Sequence, residues 1–297
     1  MEKLAISKKI KGYKLFSNNK KAIKEELSDL KVIYTDMDGT LLNDKGCLVK
    51  DCDDRYYFGV VKLLKTISKK NWDLVLVSGR SKVQLRHSAQ LLGLKNYISE
   101  IGSELVYNLG EKVYVTFDKK KYPYEVTNCG KDLINIIKIL KENFPGKIDS
   151  KLEWSKDRAF NALLFGEINV DRANQILHDA GYRGLAVVDN GFSNLVKLNL
   201  NVKTLHIYNI IPEGVDKSTA IQLDKKIRNF RTDNCIALGD SAEDLKMASE
   251  VKFFFLMNDA IEKDREILKS LLEYENVYVT RSRMNRGWVE VMKYLAQ

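Results

Sequence analysis

Two carboxylates one residue apart, at the end of a buried strand and followed by glycine, constrain this chain more than any other feature. Residues 32–42 read Val-Ile-Tyr-Thr-Asp-Met-Asp-Gly-Thr-Leu-Leu. The β-branched and aromatic start predicts a short strand covered on both faces. Asp36 and Asp38 follow that strand, and Gly39 permits a turn that a Cβ would oppose. In an open α/β sheet, ligands bind at the carboxyl ends of the strands. Asp and Gly also end strands as plain turn formers. The rest of the chain decides between these readings.

Strands and helices then alternate. Helical apolar spacing over 58–67 precedes a strand at 73–78 and a turn at Ser78-Gly79-Arg80-Ser81. A helix follows over 82–92, with Gly93 suited to its C-terminal cap, then a strand at 97–101 ending at Gly102. This rhythm predicts a doubly wound parallel sheet. It breaks at 104–116, which reads as a hairpin around Asn108-Leu109-Gly110. Next come a helix over 132–141 stopped by Pro145-Gly146, strands at 148–154 and 160–165, a helix over 171–180, and strands near 185–188 and 194–198. Helix-strand-strand, repeated once, predicts a small sheet covered on one face by helices.

The parallel rhythm is expected to resume with a strand at 204–208 and a helix opened by Asp216 or Ser218 as its cap. A strand at 235–240, a helix over 242–248, strands at 252–257 and 277–280 and a closing helix over 288–295 complete it. The fold class is therefore α/β: a doubly wound, parallel, Rossmann-like sheet with an inserted α+β cap domain. The expected boundaries are a basic N-terminal extension at 1–30, a core at 31–108 and 203–297, and the cap at 109–202.

Composition narrows the partners. The formal net charge is +9, but lysines lie along much of the chain with acids interspersed, which describes a solvated surface. That pattern argues against a nucleic-acid partner, while a modest positive field favours phosphorylated substrates. No apolar run reaches the ~18 residues of a membrane helix, and the N-terminus lacks the apolar stretch of a signal peptide. Cys47, Cys52, Cys129 and Cys235 form no C-x-x-C pair, and His87, His178 and His206 are scattered. Reduced thiols, no zinc site and a cytoplasmic location are expected.

Four expected strand-end or helix-start loops carry a consistent set: Asp36 and Asp38; Ser78 and Gly79; Lys217; Asp240 and Asp244. Singly, Ser78-Gly79 is an ordinary turn, Lys217 a surface lysine and Asp244 a helix N-terminal acid. Together, acids gathered in one crevice repel one another unless a divalent cation sits among them. Carboxylates with a backbone carbonyl and water form a magnesium-type shell. A lysine and a hydroxyl beside it complement a phosphoryl group. The residues alone thus point to metal-assisted phosphoryl transfer.

Asp36-Met37-Asp38-Gly39-Thr40 resembles the first motif of the haloacid dehalogenase (HAD) superfamily. Val77-Ser78-Gly79-Arg80 resembles the second, Lys217 the third, and Gly239-Asp240-Ser241-Ala242-Glu243-Asp244 the fourth, in family order and with family-like spacing. The insert is similar to the α/β (type IIB) cap of the branch containing sugar-phosphate, sucrose-phosphate and mannosyl-3-phosphoglycerate phosphatases. The resemblance implies a phosphatase for a small phosphorylated metabolite. Asp36 would be the nucleophile and Asp38 the general acid and base. Mg²⁺ would be held by Asp36, the Asp38 carbonyl and Asp240, with Asp244 either touching the ion directly or supporting those that do. Ser78, Gly79, Lys217 and Thr40 would serve the phosphate, Thr40 by orienting the Asp38 loop.

Two positions depart from the pattern: Glu243 where the branch often has Asn, and Asp259 ahead of Ala260 where it often has Asn. Glu243 either adds charge to the metal shell or points to solvent. Trp154 and Arg158 fall in the insert, where packing or surface placement outweighs substrate contact, and Arg80 reads as structural. A phosphomutase or other phosphotransferase on the same fold, and a non-catalytic phosphometabolite sensor, are the competing functions. Oligomeric state has no signal in the sequence.

Overall fold

The computed structural model describes residues 13–126, 130–192, 198–265 and 267–297. In chain order they form β1 (Lys14–Leu15), α1 (Phe16–Glu26), β2 (Val32–Thr35), α2 (Gly59–Lys69), β3 (Asp73–Val77), α3 (Lys82–Leu92), β4 (Tyr97–Ser99), β5 (Glu104–Tyr107), β6 (Lys112–Val115), α4 (Lys131–Asn143), β7 (Ile148–Asp149), β8 (Ala162–Gly166) and α5 (Val170–Asp179). There follow β9 (Leu185–Phe192), β10 (His206–Pro212), α6 (Lys217–Arg228), β11 (Cys235–Gly239), α7 (Ala242–Leu245), β12 (Phe253–Leu256), α8 (Asp259–Lys263), α9 (Ile267–Leu271), β13 (Val277–Val279) and α10 (Met284–Leu295). The chain divides into two units, Met1–Leu76 with Asp224–Gln297, and Val77–Leu223.

In the first unit, parallel strands run in the order β1-β13-β12-β11-β2-β3. β2, β11 and β12 are buried at every position, which explains their continuous apolar runs. The chain winds away from β2 in both directions, so the carboxyl ends of β2 and β11 form a topological switch point. Behind them, Trp288 of α10 is fully buried and its Nε1 donates to Thr35 Oγ1 at 3.2 Å. The Tyr34 hydroxyl donates to Asp224 Oδ2 at 2.5 Å, and Arg228 pairs with both Asp224 and Asp73.

Part of the expected N-terminal extension belongs to this unit. β1 pairs with β13, and Phe16 sets its ring edge-on to Phe255 at 5.4 Å. Two buried apolar residues in α1, Phe16 and Ile23, are too sparse a stripe for periodicity to reveal. Residues 1–12 of the extension, and Cys129, lie outside the described residues.

In the second unit, β4, β5 and β6 form an antiparallel meander, which is the expected hairpin with one more partner. A separate antiparallel sheet has the order β7-β8-β10-β9. Leu133, Ile136 and Leu140 of α4 and Ala173 and Leu177 of α5 pack with Ala162, Leu164, Val187, Tyr208 and Ile210 of that sheet. Helices therefore cover one face, as the repeated helix-strand-strand pattern predicts. The expected insert at 109–202 falls wholly inside this unit.

Three expectations need correction. The strand at 204–208 does not rejoin a parallel sheet: β10 lies antiparallel between β8 and β9. Tyr208 and Ile210 face the helix-side cluster, while Ile207 packs with Leu163 and Phe165 on the other face. A strand apolar on both faces is central, but its composition does not say whether its neighbours run parallel. The strand at 148–154 stops at Asp149, and Leu152–Ser155 is a 3-10 turn. The strand at 97–101 stops at Ser99, because Glu100 and Ile101 both adopt positive φ, 53° and 55°. The strand expected at 194–198 has residues 194–197 outside the described set.

Candidate active site

The first unit gathers the acids. The Asp36 amide donates to Leu238 O at 2.9 Å, continuing the β2–β11 pairing by one residue. Carboxylate oxygens of Asp36, Asp240 and Asp244 all lie within 4.8 Å of one another. Asp36 and Asp244 are buried, at 6% and 1% exposure. Asp244 Oδ2 accepts from the amides of Asp240 (3.1 Å) and Ser241 (3.0 Å) and from Ser241 Oγ (2.7 Å). Ser241 in turn caps α7 in a reciprocal capping box. Thr40, expected at the phosphate, gives its hydroxyl to Asp240 Oδ1 at 3.1 Å. Asp38 is exposed, in the turn closed by Leu42 N to Met37 O at 2.8 Å.

Gly39 is required here for two reasons. Its φ is +90°, and a Cβ at this position would stand 2.2 Å from Asp240 Oδ2. Gly39→Ala is therefore expected to push Asp240 aside and to weaken any divalent-cation binding by these acids about 10-fold or more, the scale of disturbed outer-shell partners. Titration calorimetry on metal-stripped protein measures this; an unchanged affinity would show that Asp240 is not a ligand.

Burial, reinforced by Asp244 and Asp259, pushes the Asp240 carboxyl up to about 6, against the pull of Lys263. Lys263 Nζ lies 3.0 Å from Asp240 Oδ2 and 2.8 Å from Asp259 Oδ2. Burial disfavours its charge, yet the two carboxylates outweigh burial and raise its pKa. Asp259 is 3% exposed and accepts from the Met284 amide at 3.1 Å. Sequence reading missed Lys263. Its one signal was an acid four residues earlier on a helix, Asp259. Glu243 neither joins the three-carboxylate group nor points to solvent; it is buried and pairs with Lys246 at 2.7 Å.

The second unit gathers the other residues around one turn. Ser78 O accepts from the Ile101 amide (3.2 Å), Gly79 O from Arg158 Nη1 (2.7 Å), and Arg80 O from the Glu100 amide (3.0 Å). Three successive carbonyls are thus engaged by residues 100, 101 and 158. Gly102, with φ +98°, lets Asp216 O approach to where a Cβ would stand 2.0 Å away. That brings the start of α6, with Asp216 as its cap and the buried Lys217, beside the turn carrying Ser78 and Gly79. Asn190 Nδ2 lies 2.7 Å from where a Gly79 Cβ would be.

Arg158 is neither at the surface nor in apolar packing. It is 7% exposed and also donates to Asn161 Oδ1 at 2.7 Å. Burial lowers its pKa to about 10, with the Glu100 charge opposing. Glu100 accepts from the amides of Ala159, Phe160 and Asn161 at 2.7, 2.9 and 3.1 Å, yet burial still raises its pKa. Arg158→Met strands the Gly79 carbonyl and leaves the buried Glu100 without a nearby cation. We expect a loss of about 3 kcal/mol in urea unfolding. A loss below about 1 kcal/mol would show that these groups find other partners. Trp154, by contrast, is 45% exposed and edge-on to Phe165.

Three carboxylates, two of them buried, converge at the carboxyl edge of a doubly wound α/β sheet, a set of hard oxygens that could hold a small divalent cation. The family model described as haloacid dehalogenase-like hydrolase matches residues 33–277. A curated relative, 5-amino-6-(5-phospho-D-ribitylamino)uracil phosphatase YcsE of Bacillus subtilis (strain 168), is 26% identical over 280 residues, 90% of this chain and 99% of its own. A glucosyl-3-phosphoglycerate/mannosyl-3-phosphoglycerate phosphatase of Persephonella marina is 25% identical over 241 residues, 74% of this chain and 82% of its own. The crystal structure of the sucrose-phosphatase from Synechocystis sp. PCC6803 shares the fold with TM-score 0.59 and 16% identity, over 89% of this chain and 97% of that one. The chain belongs to the haloacid dehalogenase-like hydrolases. Both curated relatives named here are phosphatases. Among the described residues, no helix is long and apolar enough to cross a membrane.

Proposed function

We propose that this chain is a Mg²⁺-dependent phosphatase for a small phosphorylated metabolite, a sugar phosphate or related monoester, working through an aspartyl-phosphate. The observation that carries the reading is the approach of Asp36, Asp240 and Asp244 to within 4.8 Å. Their oxygens fit a hard cation, since like carboxylates at this spacing need a counter-charge. Those three side chains, with the Asp38 carbonyl, would hold Mg²⁺. When bound, the ion offsets repulsion between carboxylate and phosphate ester.

The residues then divide the work. Asp36 attacks phosphorus, forming an acyl phosphate as the phosphorus–oxygen bond to the leaving alcohol breaks. Asp38, exposed beside it on the same turn, gives that oxygen its proton. Asp38 then takes a proton from water, which attacks the acyl phosphate, releasing inorganic phosphate and restoring Asp36. Ser78, the Gly79 amide and Lys217 hold the non-bridging oxygens. Thr40 and Ser241 serve by fixing Asp240 and Asp244, the contacts their hydroxyls make. Residues 109–202 act as the cap that selects the leaving group. A cytoplasmic location fits the unpaired Cys47, Cys52 and Cys235.

The test is a panel of phosphorylated metabolites incubated with metal-stripped protein, with and without Mg²⁺, reading free phosphate. Release from a sugar phosphate only with Mg²⁺ is expected. Transfer to a sugar acceptor without free phosphate would make the chain a phosphotransferase. Absence of both would leave a binding protein.

A further inference from the structure

Asp259 and Lys263 have no part in the mechanism above, yet they stand against it. Asp259 is an acid where the similar branch often has a neutral Asn, one turn before Lys263 on α8. Its carboxylate is fixed by the Met284 amide at 3.1 Å, and it holds Lys263 Nζ at 2.8 Å. The same ammonium reaches Asp240 Oδ2 at 3.0 Å. Asp240 is one of three carboxylates gathered within 4.8 Å. The chain therefore supplies a cation of its own to the group of acids that would hold Mg²⁺.

Two consequences follow from the charges, and they have opposite signs. Without a divalent ion, Lys263 offsets the repulsion among Asp36, Asp240, Asp244 and Asp259, and so stabilises the metal-free fold. With a divalent ion present, a positive charge bonded to one of its ligands repels it and competes for that carboxylate. A residue that only packs the fold has the first effect and not the second. An Asn at position 259 would remove one of the two carboxylates that pair with the ammonium, so the acid there acts as a tether.

We propose that Lys263, tethered by Asp259, is a built-in competitor for the Mg²⁺ site that holds Asp240 when the ion is absent and lowers the affinity when it arrives. The inference rests on the Mg²⁺-phosphatase reading and adds a control of metal loading to it. Its function would be to make occupancy respond to the Mg²⁺ concentration rather than remain saturated.

The experiment measures metal binding, not turnover. Metal-stripped full-length wild type, Lys263→Met, Lys263→Gln and Lys263→Arg are titrated with MgCl₂ by calorimetry, and their thermal midpoints recorded with and without Mg²⁺. Lys263→Met and Lys263→Gln are expected to bind Mg²⁺ about 10-fold tighter or more, by removal of a unit charge near the ion. The same variants melt lower than wild type without metal and gain more from Mg²⁺. Lys263→Arg keeps the charge and stays within about 3-fold of wild type. Unchanged or weaker Mg²⁺ binding in the folded neutral variants overturns the proposal. If Lys263→Met does not fold, Lys263→Gln carries the same comparison. Failure of both to fold without rescue by Mg²⁺ also overturns it, since the ion would replace the lost cation. A wild type that binds no Mg²⁺ removes the metal-dependent reading and this inference together, a result distinct from the previous ones.

Discussion

Asp36→Asn is expected to abolish phosphate release, by at least about 10⁴-fold in kcat, the scale on which removal of an enzyme nucleophile acts. The amide nitrogen and oxygen of Asn are too weakly nucleophilic to form the acyl phosphate. The substitution also removes one of three charges from the group within 4.8 Å, so Mg²⁺ binding should weaken as well. Stability has the opposite expectation. Asp36 sits 6% exposed among like charges, and a neutral isostere relieves their repulsion. The thermal midpoint of the metal-free variant should equal or exceed that of the wild type. Two measurements therefore separate chemistry from folding: rapid-quench trapping of a labelled acyl phosphate, lost in the variant, and a melting curve that does not fall. Turnover within 10-fold of wild type would mean that Asp36 is not the nucleophile.

Asp38→Asn should lower kcat by about 10²–10⁴-fold, the usual contribution of general acid–base catalysis. The loss should depend on the leaving group. An alkoxide needs the proton as the phosphorus–oxygen bond breaks, whereas a nitrophenolate leaves unaided. The variant is thus expected to lose more activity on a sugar phosphate than on p-nitrophenyl phosphate, and to accumulate acyl phosphate with the latter because water is no longer activated. Equal losses on both substrates, with no accumulation, would assign Asp38 a role in geometry alone. Asp38 is exposed and lies outside the three-carboxylate group, so water and a leaving group can reach it.

How much of this was legible in the residues depends on the range of the interaction involved. The α3 helix was read to its ends, because its signals are local: Ser81 and Gln84 form a capping box and Gly93 takes the left-handed conformation at φ 69°. The acids at the ends of β2 and β11 were read for the same reason, since a buried apolar run followed by Asp is a short-range pattern. The pairing of β1 and the burial of Phe16 were not, because β1 depends on β13 and Phe16 on Phe255, more than two hundred residues away. The direction of β10 was not, because apolar residues on both faces record burial and not polarity of pairing.

The sequence by itself determined the α/β class and the acids at the ends of β2 and β11, since each rests on a few neighbouring residues whose backbone preferences and burial pattern agree. Only the tertiary structure decided which polar groups the site holds in tension. Arg158 meets the Gly79 carbonyl across 79 positions, and Lys263 meets Asp240 across 23. A buried charge must find a partner, but its identity depends on which side chains the packed backbone brings within about 3 Å, and no local pattern encodes that distance.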